Sequence, residues 1–547
     1  MTQGSSTEQY PRLRAAAGIV AAVVLVWLAA SAGAQSASDI PESGRLLDVN
    51  PDSALTIALS QITGAPLTLA EAEAAALEQA TDVREARGAL LAARGSMRSE
   101  KGAFDPELFA EISRNETDTP TASPFSGASL IRGKQAFASG GARVTLPTGT
   151  ELTASLQSIR VEADSSLSGA NPEYDAAAAL EFRQPLLKGF GPGAWGDRNA
   201  AVRTYEAARA RYDDAVQRMR AVIAQAYWDL YAAERDLAVQ HLLRDRAASF
   251  LDQAEKRGKA GIVGPSVVAN AAVFLSEQEQ AVLDREEQFD KISDRIGTLM
   301  GRRPSSDLMR YRPIDNPPRE FVLEPEDSVV ARALAGNRAL LGAERDVAAA
   351  RSLERGARWN SFPQLDLFGS IGGVGLNGTP RPIDFGGTTY VANVSGDRSD
   401  AISDAIDRRY PNWTLGARMT VPIGFRAGRG EHERTKGELV QSEQRYLAAR
   451  RSLEERVRAA NRDLVHSVKR LDSARMGVTA ALEQARIGLL EYSLGKTTSF
   501  DLVRLGADVA SSQQRFSQAL VRTAKAVAEI RWLTSTAGSP STEKTTP

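Results

Sequence analysis

Three short stretches carry the residue types from which chemistry is usually built. Gly373-Val374-Gly375-Leu376-Asn377-Gly378 has the G-x-G-x-x-G spacing that lets a backbone approach a dinucleotide pyrophosphate. Such a site needs a helix N-terminus directly behind the glycines, and Thr379-Pro380-Arg381-Pro382 cannot open one. The stretch therefore reads as a surface loop. Gly495-Lys496-Thr497 resembles the end of a phosphate-binding P-loop, but Leu490 stands where its first glycine belongs, and a helical run rather than a strand precedes it. His241, His432 and His466 are isolated, none with a second ligand at metal-motif spacing. The chain of 547 residues has no cysteine, which removes disulfides, thiolate metal sites and thiol nucleophiles. No serine elbow is present, and the carboxylates fall at helix-surface spacing. These residues predict no catalytic site, no metal and no cofactor.

What remains is architecture. A net charge of −1 gives no electrostatic case for nucleic acid. Arg12 and Arg14 precede the apolar run 15–30 and then Ser31-Ala32-Gly33-Ala34. A basic start, a short apolar core and a small-residue site predict a secretory signal peptide over 1–34. No other run reaches the length of a spanning helix, so any membrane would have to be crossed by strands. Residues 35–65 read as an extended linker and 537–547 as a disordered tail.

Between them one order of elements runs twice. The first copy, 66–301, opens at Thr68, whose partner Glu71 fits a capping box, and a helix is expected to about Ala103. The region 104–187 then alternates with period two. Leu108, Ala110 and Ile112 face one way, as do Ala142, Val144 and Leu146, then Leu152, Ala154 and Leu156, then Ala176, Ala178, Leu180 and Phe182. Phe109 breaks the first series. A helical hairpin follows over 196–300, broken by Gly258-Lys259-Ala260-Gly261-Ile262-Val263-Gly264-Pro265. After a proline-rich connector, 302–325, the second copy spans 326–536. It has a helix, strands at 362–376 and 412–423, a Gly/Asp/Asn-rich loop over about 377–409, and a hairpin over 428–534 broken at Leu494-Gly495-Lys496-Thr497-Thr498.

Helices of roughly 60 residues would be about 90 Å long, more than one globular core needs. Tyr212, Val216, Met219, Ile223, Ala226, Leu230, Ala233 and Leu237 form a heptad seam in the first. Leu439, Tyr446, Leu453 and Ala460 repeat at sevens in the second, with Val457, Leu464 and Leu471 beside them and Val440, Leu447 and Val468 flanking. Adjacent apolar rows suit a ring of helices better than a two-stranded rod.

The order of elements, Ala224-Gln225-Ala226-Tyr227-Trp228-Asp229-Leu230 and the two glycine breaks resemble the TolC-like outer membrane factors over about 66–536. The resemblance implies a mixed α/β membrane protein: a homotrimer whose strands close one transmembrane β-barrel in outer-membrane lipid, continued by a long periplasmic α-helical barrel with two internal repeats. It implies the outer-membrane exit channel of a tripartite efflux pump or type I secretion system, extending into the periplasm. Its partners would be a periplasmic adaptor and an inner-membrane pump, not nucleic acid. Lys259, Ala260, Gly261 and Ile262 in the first break, and Leu494, Gly495 and Lys496 in the second, would be the adaptor-docking tips. Asp501 falls where the family's tunnel narrows, and Arg504 where some members have a second acid. As residues alone, Asp501 is an acid in a helix first turn with Thr498 or Ser499 as cap. The chain departs from the family in three places. Val267 stands where the first tip often has Asp, no cysteine exists for a lipid anchor, and the first half offers about four strands where two are usual. From a different class, a structural periplasmic coiled-coil envelope protein would share the helical hairpins.

Overall fold

The computed structural model describes residues 51–120, 130–164, 168–303, 310–318, 320–385, 387–494 and 496–535. The expected signal peptide, the first part of the linker and the tail lie outside them.

In chain order the elements of the first copy are α1 (Pro51–Gln61), β1 (Ala65–Leu67), α2 (Leu69–Gln79), α3 (Thr81–Gly102), β2 (Glu107–Pro120), β3 (Leu130–Thr145), β4 (Glu151–Ala163), β5 (Ala170–Pro185), α4 (Pro192–Lys259) and α5 (Pro265–Leu299). After β6 (Tyr311–Pro313), the second copy has α6 (Glu326–Gly336), α7 (Arg338–Asn360), β7 (Gln364–Pro380), β8 (Pro382–Phe385), β9 (Thr388–Val391), α8 (Arg398–Ile406), β10 (Tyr410–Thr420), α9 (Arg426–Ser493) and α10 (Ser499–Leu533).

The copies match closely in length. Both long helices, α4 and α9, have 68 residues, and both returning helices, α5 and α10, have 35. Each expected leading helix is broken once, after 11 residues. Ala80 and Asn337 are extended at the breaks, and Asn337 accepts from Leu340 N at 3.0 Å to cap the second piece. The Thr68–Glu71 capping box forms as its spacing predicts, with bonds of 3.0 and 3.2 Å.

Two connectors hold more structure than the sequence reading gives them. The end of the 35–65 linker is helix α1, not extended chain, because Leu55, Ala58, Leu59 and Ile62 recur at helical spacing and pack into the main core. In the proline-rich connector, β6 pairs in parallel with β1, Ala65 opposite Tyr311.

Six strands form one antiparallel sheet in the order β10-β7-β5-β4-β3-β2. Its two faces follow from the register. Leu108, Ala142, Ala154, Leu180, Ile371 and Trp413 lie on successive partners along or beside one rung and share a face. On β3 this apolar series runs Ala136–Val144, about nine residues, the length a tilted strand needs to cross hydrocarbon. Leu108, Ile112, Trp413 and Met419 are 86%, 87%, 73% and 64% exposed, apolar surface that water does not favour. The opposite face carries Glu111, Arg143, Glu151, Thr153, Gln157, Glu181, Ser370 and Thr414. Phe109 belongs to this polar face and covers Gly141 across the strand pair, as Phe182 covers Gly369 and Phe368 covers Gly416.

The G-x-G-x-x-G stretch is not a surface loop. It lies in β7, where Gly373 and Gly375 make a bed for α8. A Cβ on them would come within 2.4 Å of Ala405 O and 2.0 Å of Ala401 O. The helix buries Ala401 and Ala405 against Ala176 on the apolar face of the sheet. Glycine here supplies close approach between helix and strand, not room for a phosphate.

Candidate functional site

The two hairpin ends are built alike. In the first, Gly261 takes a positive φ of 76°, Ile262 N donates to Arg257 O at 2.9 Å and Gly261 N to Gly258 O at 3.0 Å, a Schellman closure. Lys256, Arg257 and Lys259 occupy the last turn of α4, where the helix dipole favours cations. Pro265 then opens α5 with no side-chain cap. In the second, Lys496 N donates to Glu491 O at 2.9 Å and Leu494 N to Leu490 O at 3.1 Å. Gly495 lies outside the described residues. Ile262 and Leu494 are 71% and 69% exposed, so each end presents an aliphatic side chain to solvent.

Asp501 is occupied locally. Thr498 N and Oγ1 donate to its Oδ2 at 3.1 and 2.6 Å, and Asp501 N donates to Thr498 Oγ1 at 3.3 Å, a complete capping box. The Thr498 hydroxyl and amide hold its carboxyl below the usual range, with Arg504 a lesser influence. Among the described residues no ion pair joins Asp501 to Arg504. The structure thus gives Asp501 a capping role within its own chain.

Above the ends, the hairpins meet through α4 and α10. Lys525 Nζ lies 2.7 and 2.8 Å from the Asp229 oxygens and Gln225 donates to Glu529 at 3.1 Å, while within the second hairpin Arg522 reaches Asp463 on α9 at 2.8 Å. These residues line a polar groove of about 430 Å³. Its two cations, Arg522 and Lys525, each sit on a carboxylate, and the third carboxylate, Glu529, accepts from neutral Gln225. His241 lies on α4 and His432 and His466 on α9, with His432 Nδ1 3.7 Å from a carboxylate oxygen of Glu354.

The residue that sequence reading left without a role is Tyr227. It is fully buried, and its hydroxyl accepts from Ile314 N at 3.1 Å and Asp315 N at 3.0 Å while lying 3.0 Å from Leu67 O. Burial pushes this phenol up to about 12. Beside it, Arg312 pairs with the buried Glu234 at 2.8 Å. Together they fasten the β1–β6 pair to the middle of α4. A tyrosine directly beside an apolar heptad row, next to Ala226, was the available signal, since its hydroxyl must find a partner when buried.

Two hairpins of equal length thus follow the strands of a sheet with one apolar face. The family model for outer membrane efflux proteins matches residues 74–302 and 329–536, one segment in each copy. The chain belongs to the outer membrane efflux protein family. Its sheet is the outer-membrane part and its helices reach into the periplasm. Among curated proteins no sequence matches. Solved structures agree in fold at low identity. The outer-membrane channel OprN is 16% identical, with 90% of this chain and 91% of that one covered, at a TM-score of 0.57. The Campylobacter jejuni CmeC outer membrane channel is 14% identical, with 85% of each covered, at 0.57. The open state of the Neisseria gonorrhoeae MtrE outer membrane channel is 17% identical, covering 85% and 88%, at 0.56. In this efflux protein no described helix is long and apolar enough to cross a membrane.

Proposed function

We propose that this efflux protein works as a homotrimeric exit duct, a passive conduit for an efflux pump or a type I secretion system. The sheet carries the argument. It has one apolar face, and among the described residues its edges, β2 and β10, pair on one side only. Unpaired strand edges are untenable in lipid, and a six-stranded sheet is too narrow to close alone around a pore. β2 runs outward from α3 and β10 runs inward to α9, so a neighbouring copy can continue the sheet antiparallel.

Lys259, Ala260, Gly261, Ile262, Leu494, Gly495 and Lys496 would dock a periplasmic adaptor, with the exposed Ile262 and Leu494 as its apolar anchors. The adaptor in turn would couple the duct to an inner-membrane pump. Three copies of Asp501, with Arg504 one turn along, would line the mouth. The test is conductance in planar bilayers: Asp501→Ala should raise it and reduce cation preference. Unchanged conductance and selectivity would remove Asp501 from the gate and leave it as a cap. A monomer found in the soluble periplasmic fraction would favour the alternative, a structural envelope protein, and end the duct reading.

A further inference from the structure

We propose that the β3–β4 hairpin is an inserted wall module, so that three copies close an eighteen-stranded barrel wider than the helical tunnel beneath it. This rests on the trimeric duct proposed above.

The two copies locate the insertion. In the second copy the chain leaves α7, crosses outward once as β7, returns once as β10 and enters α9. In the first it leaves α3, crosses outward as β2, back as β3, outward as β4 and back as β5 before α4. The helices on either side agree in length between the copies, so the strand pair is what the first copy has in addition.

The register shows how the addition fits. Leu108 faces Ala142, Ala142 faces Ala154, and Ala154 faces Leu180. β2 and β5 therefore stand on common rungs with Leu108 and Leu180 on the same face, and they run antiparallel. Removing β3 and β4 would leave two strands that can pair directly without a slip, whereas a slip of one residue would turn every side chain to the wrong face. The hairpin is inserted by whole rungs.

It is also wall and not plug. Its apolar residues, Ala136, Val144, Leu152 and Leu156, continue the apolar face of the sheet, and Arg143, Glu151 and Gln157 continue the polar face. At its inner end the Pro147–Thr150 turn is tight. Leu146 N donates to Thr150 O at 2.8 Å and Gly149 N to Leu146 O at 2.8 Å. Gly149 has φ 87°, and a Cβ there would come within 2.2 Å of Gly189 O. The turn is thus seated against the chain entering α4 and adds no helix to the tunnel.

Six strands per copy therefore give eighteen in a trimer, against twelve if each half contributed two. Barrel diameter grows about linearly with strand number, so the outer-membrane segment would be roughly half as wide again, in the range of barrels that keep an aqueous channel. The helices would then meet a flared wall, and the outer mouth would not be the narrowest point for cargo.

Cryo-electron microscopy of the full chain in nanodiscs tests the count directly, with eighteen strands expected. A variant replacing 121–169 by a short Asn-Gly turn should form a trimer with twelve. Polyethylene glycols added from the outer side should then be excluded from the mouth at a radius about one third smaller than in the wild type. A wild-type trimer with twelve wall strands, or two copies closing twelve, would overturn the inference and leave an outer-membrane duct standing. A soluble monomer would instead overturn the duct. The wild-type count decides even where the shortened variant does not fold.

Discussion

The first hairpin, α4–α5, and the second, α9–α10, have the same lengths and very different surroundings. The α4 seam, Met219, Ile223, Leu230 and Leu237, is buried in the main core, and Tyr227 ties it to β1 and β6. The α9 seam buries Leu453, Val457, Leu464 and Leu471, while its flanking Val440 and Leu447 remain 50% and 36% exposed. One hairpin is braced by its own chain. The other keeps an apolar row free for a neighbouring helix, as a ring of helices requires.

Substitutions can break this contrast. Tyr227→Phe should have the largest effect, because it removes the three hydrogen bonds of a buried hydroxyl, those with Ile314 N, Asp315 N and Leu67 O, a loss of about 3 kcal/mol at about 1 kcal/mol each. Urea titration of the solubilised trimer would measure it, and a loss below about 1 kcal/mol would mean that the brace does not depend on this hydroxyl. Arg312→Ala should cost about 2 kcal/mol at neutral pH by stranding the buried Glu234. Burial already holds the Glu234 carboxyl above its ordinary range, with the Arg312 hydrogen bond opposing that shift. Protonation is then favoured by folding, so the deficit is smallest below the ordinary glutamate range and grows as pH rises through the folded pKa. Melting at pH 5 and pH 8 should show the larger gap between wild type and variant at pH 8.

The hairpin ends give the next contrast. Thr498→Ala should remove about 1 kcal/mol from the start of α10 and speed hydrogen exchange in its first turn. Ser266→Ala at the start of α5, which has no side-chain cap, should leave exchange unchanged. Equal behaviour at both ends would erase the distinction. Smallest for the chain itself, Val440→Ser should change folding stability by less than about 0.5 kcal/mol. It should nevertheless lower the trimeric fraction measured by native mass spectrometry.

Much of this was legible in the sequence because it is periodic. Heptads drew α4 and α9, alternation drew both faces of the sheet, and Thr68 with Glu71 marked a helix start. Helix α8 was hidden because its stability comes from elsewhere: a nine-residue polar helix rests on Gly373 and Gly375, which precede it by about 25 residues. The β1–β6 pair was hidden because three residues are too few for a period to show. The break at Ala80 interrupts alanine-rich sequence that favours helix, so tertiary packing decides it, whereas Gly336-Asn337 at the second break is a local stop and cap that the longer apolar pattern masked. At the ends, local chemistry was readable in Thr498 and Asp501, while the partner that meets them is a property of another molecule.

The matched lengths of the hairpins have a mechanical consequence. A helix is a ruler with a mark every 1.5 Å, and this chain uses two rulers of the same length, side by side, hung from one sheet. Cutting seven residues from each arm of one hairpin would preserve its heptad phase and shorten it by about 10 Å. Its end would then sit proud of nothing and recessed behind its twin, giving a scalloped rim. A flush rim therefore ties the two copies together: a change of length in one is tolerable only when the other changes by the same amount.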